Sequence, residues 1–319
     1  MKMKKTGKKI AFLLYPTSKV KVGEDSSFWI MHELLSRGHE VHHFESRHLF
    51  AENGTPKARL YPTRTDAKKG FIAAALSAKP ALLQDFDAIF IRKEPPFDDA
   101  YLHAMQLLEL LRGKTFLVND PRGITMFNEK LSILNFPRHI PETLVTEDPA
   151  IAREFIRKLG GGKAVVKPLN EKAGSGILFT SARDKNLPSL LDVVTGFSKN
   201  KIIVQRFIHA KKLMDKRILV LNGEILGSFA RKPASTDFRS NLSVGGSMHA
   251  AAPTASDRAV VAAVAPTLIK NGLYFTGIDV MDRYLTEINV TSPSGIPEIN
   301  ALYGLKVQKK IADFIEARI

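Results

Sequence analysis

Short apolar runs alternate with helix-length amphipathic segments through the first third of the chain, and this alternation restricts the fold more than any other feature. Ile10–Leu14 reads as a buried strand. Asp25 or Ser26 can cap a helix carrying Phe28, Trp29, Met31, Leu34 and Leu35, and Gly38 sits where a helix stops. Glu40–Phe44, Asp87–Ile91 and Thr115–Val118 read as further strands, with a helix over Tyr101–Leu111. Strands separated by helices predict a mostly parallel sheet with right-handed crossovers, so the fold class is α/β. Ligands of such sheets sit beyond the carboxyl ends of the strands, where Arg92 and Lys93 fall. Residues 50–70 show weak periodicity and read as a loop.

The rest of the chain has a different grammar. Ala164–Lys167 and Ile202–Phe207 are short strands. Asn222-Gly223, between Arg217–Leu221 and Glu224–Phe229, suits the type I′ turn of a hairpin. Residues 233–247, rich in Ser, Thr, Gly and Asn, read as a mobile loop. Ser256–Asn271 reads as a helix disturbed at Pro266, and Leu273–Met281 with Tyr284–Val290 as a second hairpin. Val307, Ile311, Phe314 and Ile315 have the spacing of a terminal amphipathic helix.

The 319 residues contain no cysteine, which excludes disulfides, thiolate metal sites and a cysteine nucleophile. The basic start before Ile10 is followed by an apolar run too short for a signal peptide and ended by Pro16. No segment has the length of a membrane span, so the expected location is cytoplasmic. The net charge of +15 points to an anionic partner without choosing among phosphate, nucleotide, nucleic acid and acidic substrate.

The densest chemistry lies in Gly277–Pro293. Residues two apart on a strand share a face, so Glu287 and Asn289 project together, and the turn at Asp282-Arg283 folds Asp279 back beside them. Two carboxylates and an amide oxygen suit magnesium held jointly with substrate phosphates; an ordinary surface hairpin fits the periodicity equally well. Lys167 ends an apolar strand, and Lys130 follows Asn128-Glu129. A lysine turned inward needs an anion, although one snorkelling out of a strand end needs none. Gly174-Ser175-Gly176 can offer amides to a phosphate, but matches neither the Walker A nor the dinucleotide pattern. Arg217, Arg231 and Arg239 have the forked geometry that binds carboxylates and phosphates. His39, His42 and His43 do not make a metal cluster, because the adjacent pair points to opposite faces. No serine hydrolase elbow is present.

Taken together and in order, these segments resemble the prokaryotic glutathione synthetase family, of the ATP-grasp fold. Ile91-Arg-Lys-Glu-Pro-Pro-Phe-Asp98 follows its RKDPPFD motif. Asp25-Ser-Ser-Phe28, Val118-Asn-Asp-Pro121, Asn128-Glu-Lys130, Pro141–Thr146, Val166-Lys-Pro-Leu169, Asp215-Lys-Arg217, Ala230-Arg231 and Arg239-Ser-Asn-Leu242 match its other segments. Leu285–Pro293 is nearly identical to its metal-binding strand. The resemblance implies an N-terminal substrate-side domain over residues 1–126, a central lid over 127–206 and a catalytic antiparallel-sheet domain over 207–319.

It further implies an ATP-dependent ligase joining γ-glutamylcysteine to glycine, with magnesium or manganese, two ions per site, and a homotetramer or homodimer. Lys130 and Lys167 would hold phosphates, with Lys172, Gly174, Ser175 and Gly176 near them. Gln205, Arg206, Phe207 and Ile208 would meet the adenine, with Asp215 near the ribose. Asp279, Glu287 and Asn289 would hold metal, with Asn289 also on the substrate side. Ser26, Arg92, Arg231 and Ser292 would contact substrate; Arg217 would steady the acyl phosphate, and Arg239, the other catalytic candidate, would sit on the loop that closes over it.

One segment departs from the pattern: the family's DGMGG-like loop reads Asn170-Glu-Lys-Ala-Gly174. That departure keeps open a paralogous ligase for another acid and amine, and a non-catalytic nucleotide-binding protein. A nucleic-acid binder is the remaining alternative. Residues 199–217 hold seven Lys or Arg, but they lack interleaved aromatics beyond Phe207.

Overall fold

The computed structural model describes residues 7–72, 74–77, 79–169, 175–209, 215–234, 239–240 and 245–319. The first sheet runs in the order Phe116–Val118, Ala88–Ile91, Lys9–Leu13, Glu40–Phe44, Tyr61–Pro62. Its first four strands are parallel and the last is an antiparallel edge. Alternation along the central strand divides the core. Ile10, Phe12 and Leu14 pack with Ile30, Met31 and Leu34 of the Ser26–Ser36 helix on one face. Ala11 and Leu13 pack with Tyr101, Met105 and Leu108 of the Asp99–Glu109 helix on the other. Asp25 caps the first of these helices by accepting from the Phe28 amide at 2.6 Å.

Residues 50–70 are not a loop. Leu49–Glu52 pairs with Thr55–Ala58, and three two-residue strands follow between Tyr61 and Phe71. Asn53 and Gly54 have φ of 51° and 76°, both left-handed as a type I′ turn requires. The strands are two to four residues long, too short for alternation to mark them.

The second sheet is antiparallel, in the order Thr143–Thr146, Ile202–Arg206, Lys163–Pro168, Leu178–Ser181. The third is also antiparallel: Ser247–Ala250, Glu224–Lys232, Asp215–Leu221, Phe275–Met281, Tyr284–Asn289. The predicted Asn222-Gly223 turn is present, with φ of 49° and 83°. One face of the third sheet, with Ile218 and Val220, packs on Val260, Val261, Val264 and Leu268 of the Ala255–Lys270 helix. That helix runs through Pro266 unbroken. The opposite face of the third sheet carries Asp215, Arg217 and Asp279. Part of the expected loop over 233–247 lies outside the described residues, and from Ser247 the chain is a strand.

Asn119 joins the first sheet to the third. Its side chain donates to the Phe275 carbonyl at 2.7 Å and the Val290 carbonyl at 2.8 Å, and accepts from the Phe275 amide at 2.8 Å.

The three histidines near the second strand have separate partners: His39 meets Glu316, His42 meets Glu40, and His43 meets Thr63. Burial pushes His43 down from 6.5 to about 4, with His42 and His48 adding to the effect. A base with a depressed folded pKa lets stability fall as pH drops from the unfolded value towards the folded one. Between pH 6.5 and about 4 this costs on the order of 3 kcal/mol. Thermal melting across that window should show a steep decline that His43→Gln flattens; parallel curves would contradict the assignment.

Candidate active site

The expected acidic hairpin forms. Asp279 stands directly opposite Glu287, and Gly277 opposite Asn289, so all three polar side chains share a face. Asn289 Nδ2 lies 3.5 Å from Asp279 Oδ2 and donates to the Gly277 carbonyl at 3.2 Å. The next strand brings Arg217 opposite Asp279, and the one beyond brings Arg231 opposite Asp215.

These four charges neutralise one another. Arg217 Nη2 donates to Asp279 Oδ2 at 2.9 Å and its Nε to the other oxygen, a two-pronged grip. Arg231 Nη2 reaches Asp279 Oδ2 at 2.9 Å and also bonds Asp215. Burial pushes the Asp279 carboxyl up, but Arg217 and Arg231 outweigh it and hold it below the usual carboxylate range. Asp215 goes the other way: burial raises it, only partly offset by Arg231.

Lys167 comes from the second sheet and Lys130 from the segment after the Pro121–Met126 helix. Lys167 Nζ donates to Gln205 Oε1 at 2.8 Å, and Gln205 Nε2 in turn donates to Thr143 Oγ1 at 3.1 Å. Burial lowers the Lys167 pKa, opposed mainly by Glu287. Lys130 Nζ stands 3.6 Å from Glu287 Oε1 and 3.4 Å from the Leu169 carbonyl. Sequence pattern assigns no role to its neighbour Glu129. Glu129 Oε1 accepts from the Val290 amide, the Thr291 amide and the Thr291 hydroxyl at 3.1, 3.2 and 2.7 Å. That carboxylate ties the linker carrying Lys130 to the end of the acidic strand. Burial and then Glu287 raise its pKa.

A cavity of about 1140 Å³ opens here, lined by Ser26, Arg92, Glu129, Arg217, Arg231, Glu287, Asn289 and Ser292. Leu14 and Arg92, just past two parallel strands, place it at the carboxyl ends of the first sheet. Arg92 is buried, with Nε on Ser27 Oγ and Nη2 on the Pro293 carbonyl, each at 2.9 Å. Its Nη1 meets no acceptor among the described residues. Ser26 is engaged locally: its hydroxyl accepts from the Gly295 and Ile296 amides, each at 3.1 Å, fixing the start of the Ile296–Tyr303 helix.

Other expected residues lie apart or out of view. Arg206 faces away from Gln205, pairing with Glu142 and covering the Tyr284 ring at 5.3 Å. It lines a separate cavity of about 880 Å³ with His139, Glu142 and Tyr284. Phe207 packs on Phe179 at 4.9 Å, and Ile208 is buried. Ser175 and Gly176 are exposed; Asn170–Gly174, with Lys172 and Gly174, lies outside the described residues. Arg239 is half-buried between two segments that are also outside them.

Two antiparallel sheets that face each other across paired lysines and an acidic strand, behind a parallel-sheet domain, define an ATP-grasp protein. Solved structures agree on the fold. The ATP-grasp ligase PsnB complexed with minimal precursor superposes with a TM-score of 0.65 at 17% identity, covering 98% of this chain and 100% of that one. The D-cycloserine synthetase DcsG gives 0.65 at 12%, covering 96% and 99%.

The family follows from sequence. Residues 9–125 match the prokaryotic glutathione synthetase N-terminal domain, and residues 129–304 its ATP-grasp domain. The glutathione synthetase of Synechococcus elongatus is 40% identical over 323 residues, covering 98% of this chain and 99% of that protein. That of Brucella melitensis is 35% identical over 310 residues, covering 97% and 99%. The chain belongs to the prokaryotic glutathione synthetase family.

Proposed function

We propose that this chain joins γ-glutamylcysteine to glycine at the expense of ATP, in the cavity between its first and third sheets. The observation that carries this reading is the meeting of Glu287, opposite Asp279 and 3.6 Å from Lys130, in a cavity walled by Arg92. Such an array suits a triphosphate at one end and a peptide carboxylate at the other.

The donors Asp279, Glu287 and Asn289 are all oxygen-bearing, as hard divalent cations require, so magnesium or manganese fits, with two ions expected. When bound, such ions neutralise the terminal phosphates. Lys130 and Lys167 hold phosphate oxygens, with Lys172, Gly174, Ser175 and Gly176 near them. Gln205–Ile208 borders the adenine and Asp215 the ribose. Lys167, with its ordinary pKa depressed by burial, gains most from an anion there.

A cysteinyl carboxylate oxygen takes the γ-phosphoryl group and ADP leaves. Glycine's amine then attacks the acyl carbon, loses a proton, and phosphate leaves with the C–O bond electrons. No side chain forms a covalent bond, so positioning and fixed positive charge do the work. Arg217 and Arg239 offset charge on the acyl phosphate, while Arg92, Arg231, Asn289, Ser292 and Ser26 shape the substrate side. Residues 1–126, 127–206 and 207–319 act as substrate domain, lid and catalytic domain. No described helix is long and apolar enough to cross a membrane, and the cytoplasm is the proposed location, with a homotetramer or homodimer as the assembly.

Coupled measurement of ADP release tests this. Release requiring both γ-glutamylcysteine and glycine is expected. Release only with other acid and amine pairs, or ATP binding without release, would overturn it.

A further inference from the structure

We propose that the cavity of about 880 Å³ lined by Arg138, Arg206 and Arg283 is a second anion site, one that takes a phosphate monoester with an aromatic or apolar body. It shares no lining residue with the cavity assigned above to the reaction.

Three segments remote in sequence are drawn together here. The linker over residues 137–142 runs between the end of the Ile202–Arg206 strand and the start of the Tyr284–Asn289 strand. The Arg206 amide donates to the Glu142 carbonyl at 2.9 Å, and the Leu285 amide to the His139 carbonyl at 2.7 Å. Arg138 and Arg283 each stand within two residues of that second bond, and both line the cavity. Side chains alternate along a strand, so Arg206 leaves its sheet on the face opposite Gln205, whose amide oxygen holds Lys167. The cavity therefore lies on the other side of that strand from the phosphate lysine.

Its walls are electropositive. Glu142 is the one carboxylate among its described lining residues, and Arg206 takes it. Asp282 is exposed and outside the lining. Three guanidiniums against one carboxylate leave a surplus of two positive charges. Arg206 and Arg283 crowd one ring, with their guanidinium carbons 5.3 and 5.1 Å from the Tyr284 centroid. Arg283 Nη2 also donates to the Tyr284 hydroxyl at 3.0 Å. Arg283, helped by Arg206, draws that hydroxyl below its ordinary pKa against the effect of burial. Arg138 is exposed and meets no acceptor among the described residues. A concave surface of one sign gathers counter-ions of the other.

The remaining walls select the body of that anion. Leu134, Ile140, Pro141 and Val260 are apolar, and a bare inorganic ion would leave them uncovered. A phosphate monoester carries close to two negative charges at pH 7 and three terminal oxygens, which matches the surplus and serves forks from two arginines. A single carboxylate brings half that charge and suits one fork. An aromatic ester adds a ring for the apolar wall.

Calorimetric titration of the full chain with phenyl phosphate tests this, with ADP and magnesium saturating the nucleotide site. One site per chain is expected, with a Kd below about 1 mM. Inorganic phosphate should bind at least about tenfold more weakly, for want of the ring. Arg138→Ala and Arg283→Ala remove exposed side chains, so both variants should fold. Each should weaken phenyl phosphate by about tenfold to a hundredfold, the usual weight of a charged hydrogen bond. Lys158→Ala, which removes an exposed cation outside the cavity, should leave the Kd unchanged. The proposal would be overturned by the absence of saturable binding, by equal affinity for inorganic phosphate, or by an unchanged Kd in both arginine variants. A matching loss in Lys158→Ala, or displacement of phenyl phosphate by ADP, would overturn it as well.

Discussion

Glu287→Gln is expected to abolish ADP release, by roughly 10³-fold or more in kcat/KM, about 4 kcal/mol of transition-state stabilisation. The substitution keeps the shape of the side chain and removes its charge. Three things depend on that charge: the pairing with Lys130, the field that supports a protonated Lys167, and a hard-cation donor opposite Asp279. The fold should tolerate the change, because Glu287 is only partly buried and the strand is held by its ladder with Phe275–Met281. Melting temperature within a few degrees of wild type, together with lost turnover, is the expected pair of results. Retained turnover would refute the metal and phosphate assignment.

The largest expected loss of stability is at Asn119. Its amide makes three hydrogen bonds to the backbone of two strands in another sheet, all buried. Asn119→Ala leaves the Phe275 amide and carbonyl and the Val290 carbonyl without these partners, at a cost of roughly 3–5 kcal/mol. In a chain of this size that lowers the thermal midpoint by roughly 4–8 °C. Asn119→Asp should be nearly as harmful, since two of the three bonds need an N–H donor. A shift under about 2 °C for both would show that the seam is held elsewhere.

How much of this was legible in the sequence depended on the range of the interaction. The acidic hairpin was legible because strand alternation fixes which side chains share a face, and Asp279 does stand opposite Glu287. The parallel sheet was legible from its apolar runs. The Asn53-Gly54 hairpin carried the same turn dipeptide as Asn222-Gly223, yet its flanks, Leu49–Glu52 and Thr55–Ala58, lack a one-sided apolar pattern. Tertiary pairing with Ala81–Leu82 holds those strands instead. Asn119 and Glu129 were not read as site or seam residues, because contacts remote in sequence define them. Asn119 meets Phe275, and Glu129 meets Thr291. The Ser26 motif carries no sign that its hydroxyl also accepts from two amides some 270 positions later.

The Arg217–Asp279–Arg231–Asp215 quartet has a consequence for how the protein lives between catalytic cycles. A chain that supplies its own counter-ions needs no borrowed ones to fold. Exhaustive chelation should therefore silence the enzyme and leave its heat resistance intact, in contrast to small domains that unravel when stripped of a structural ion.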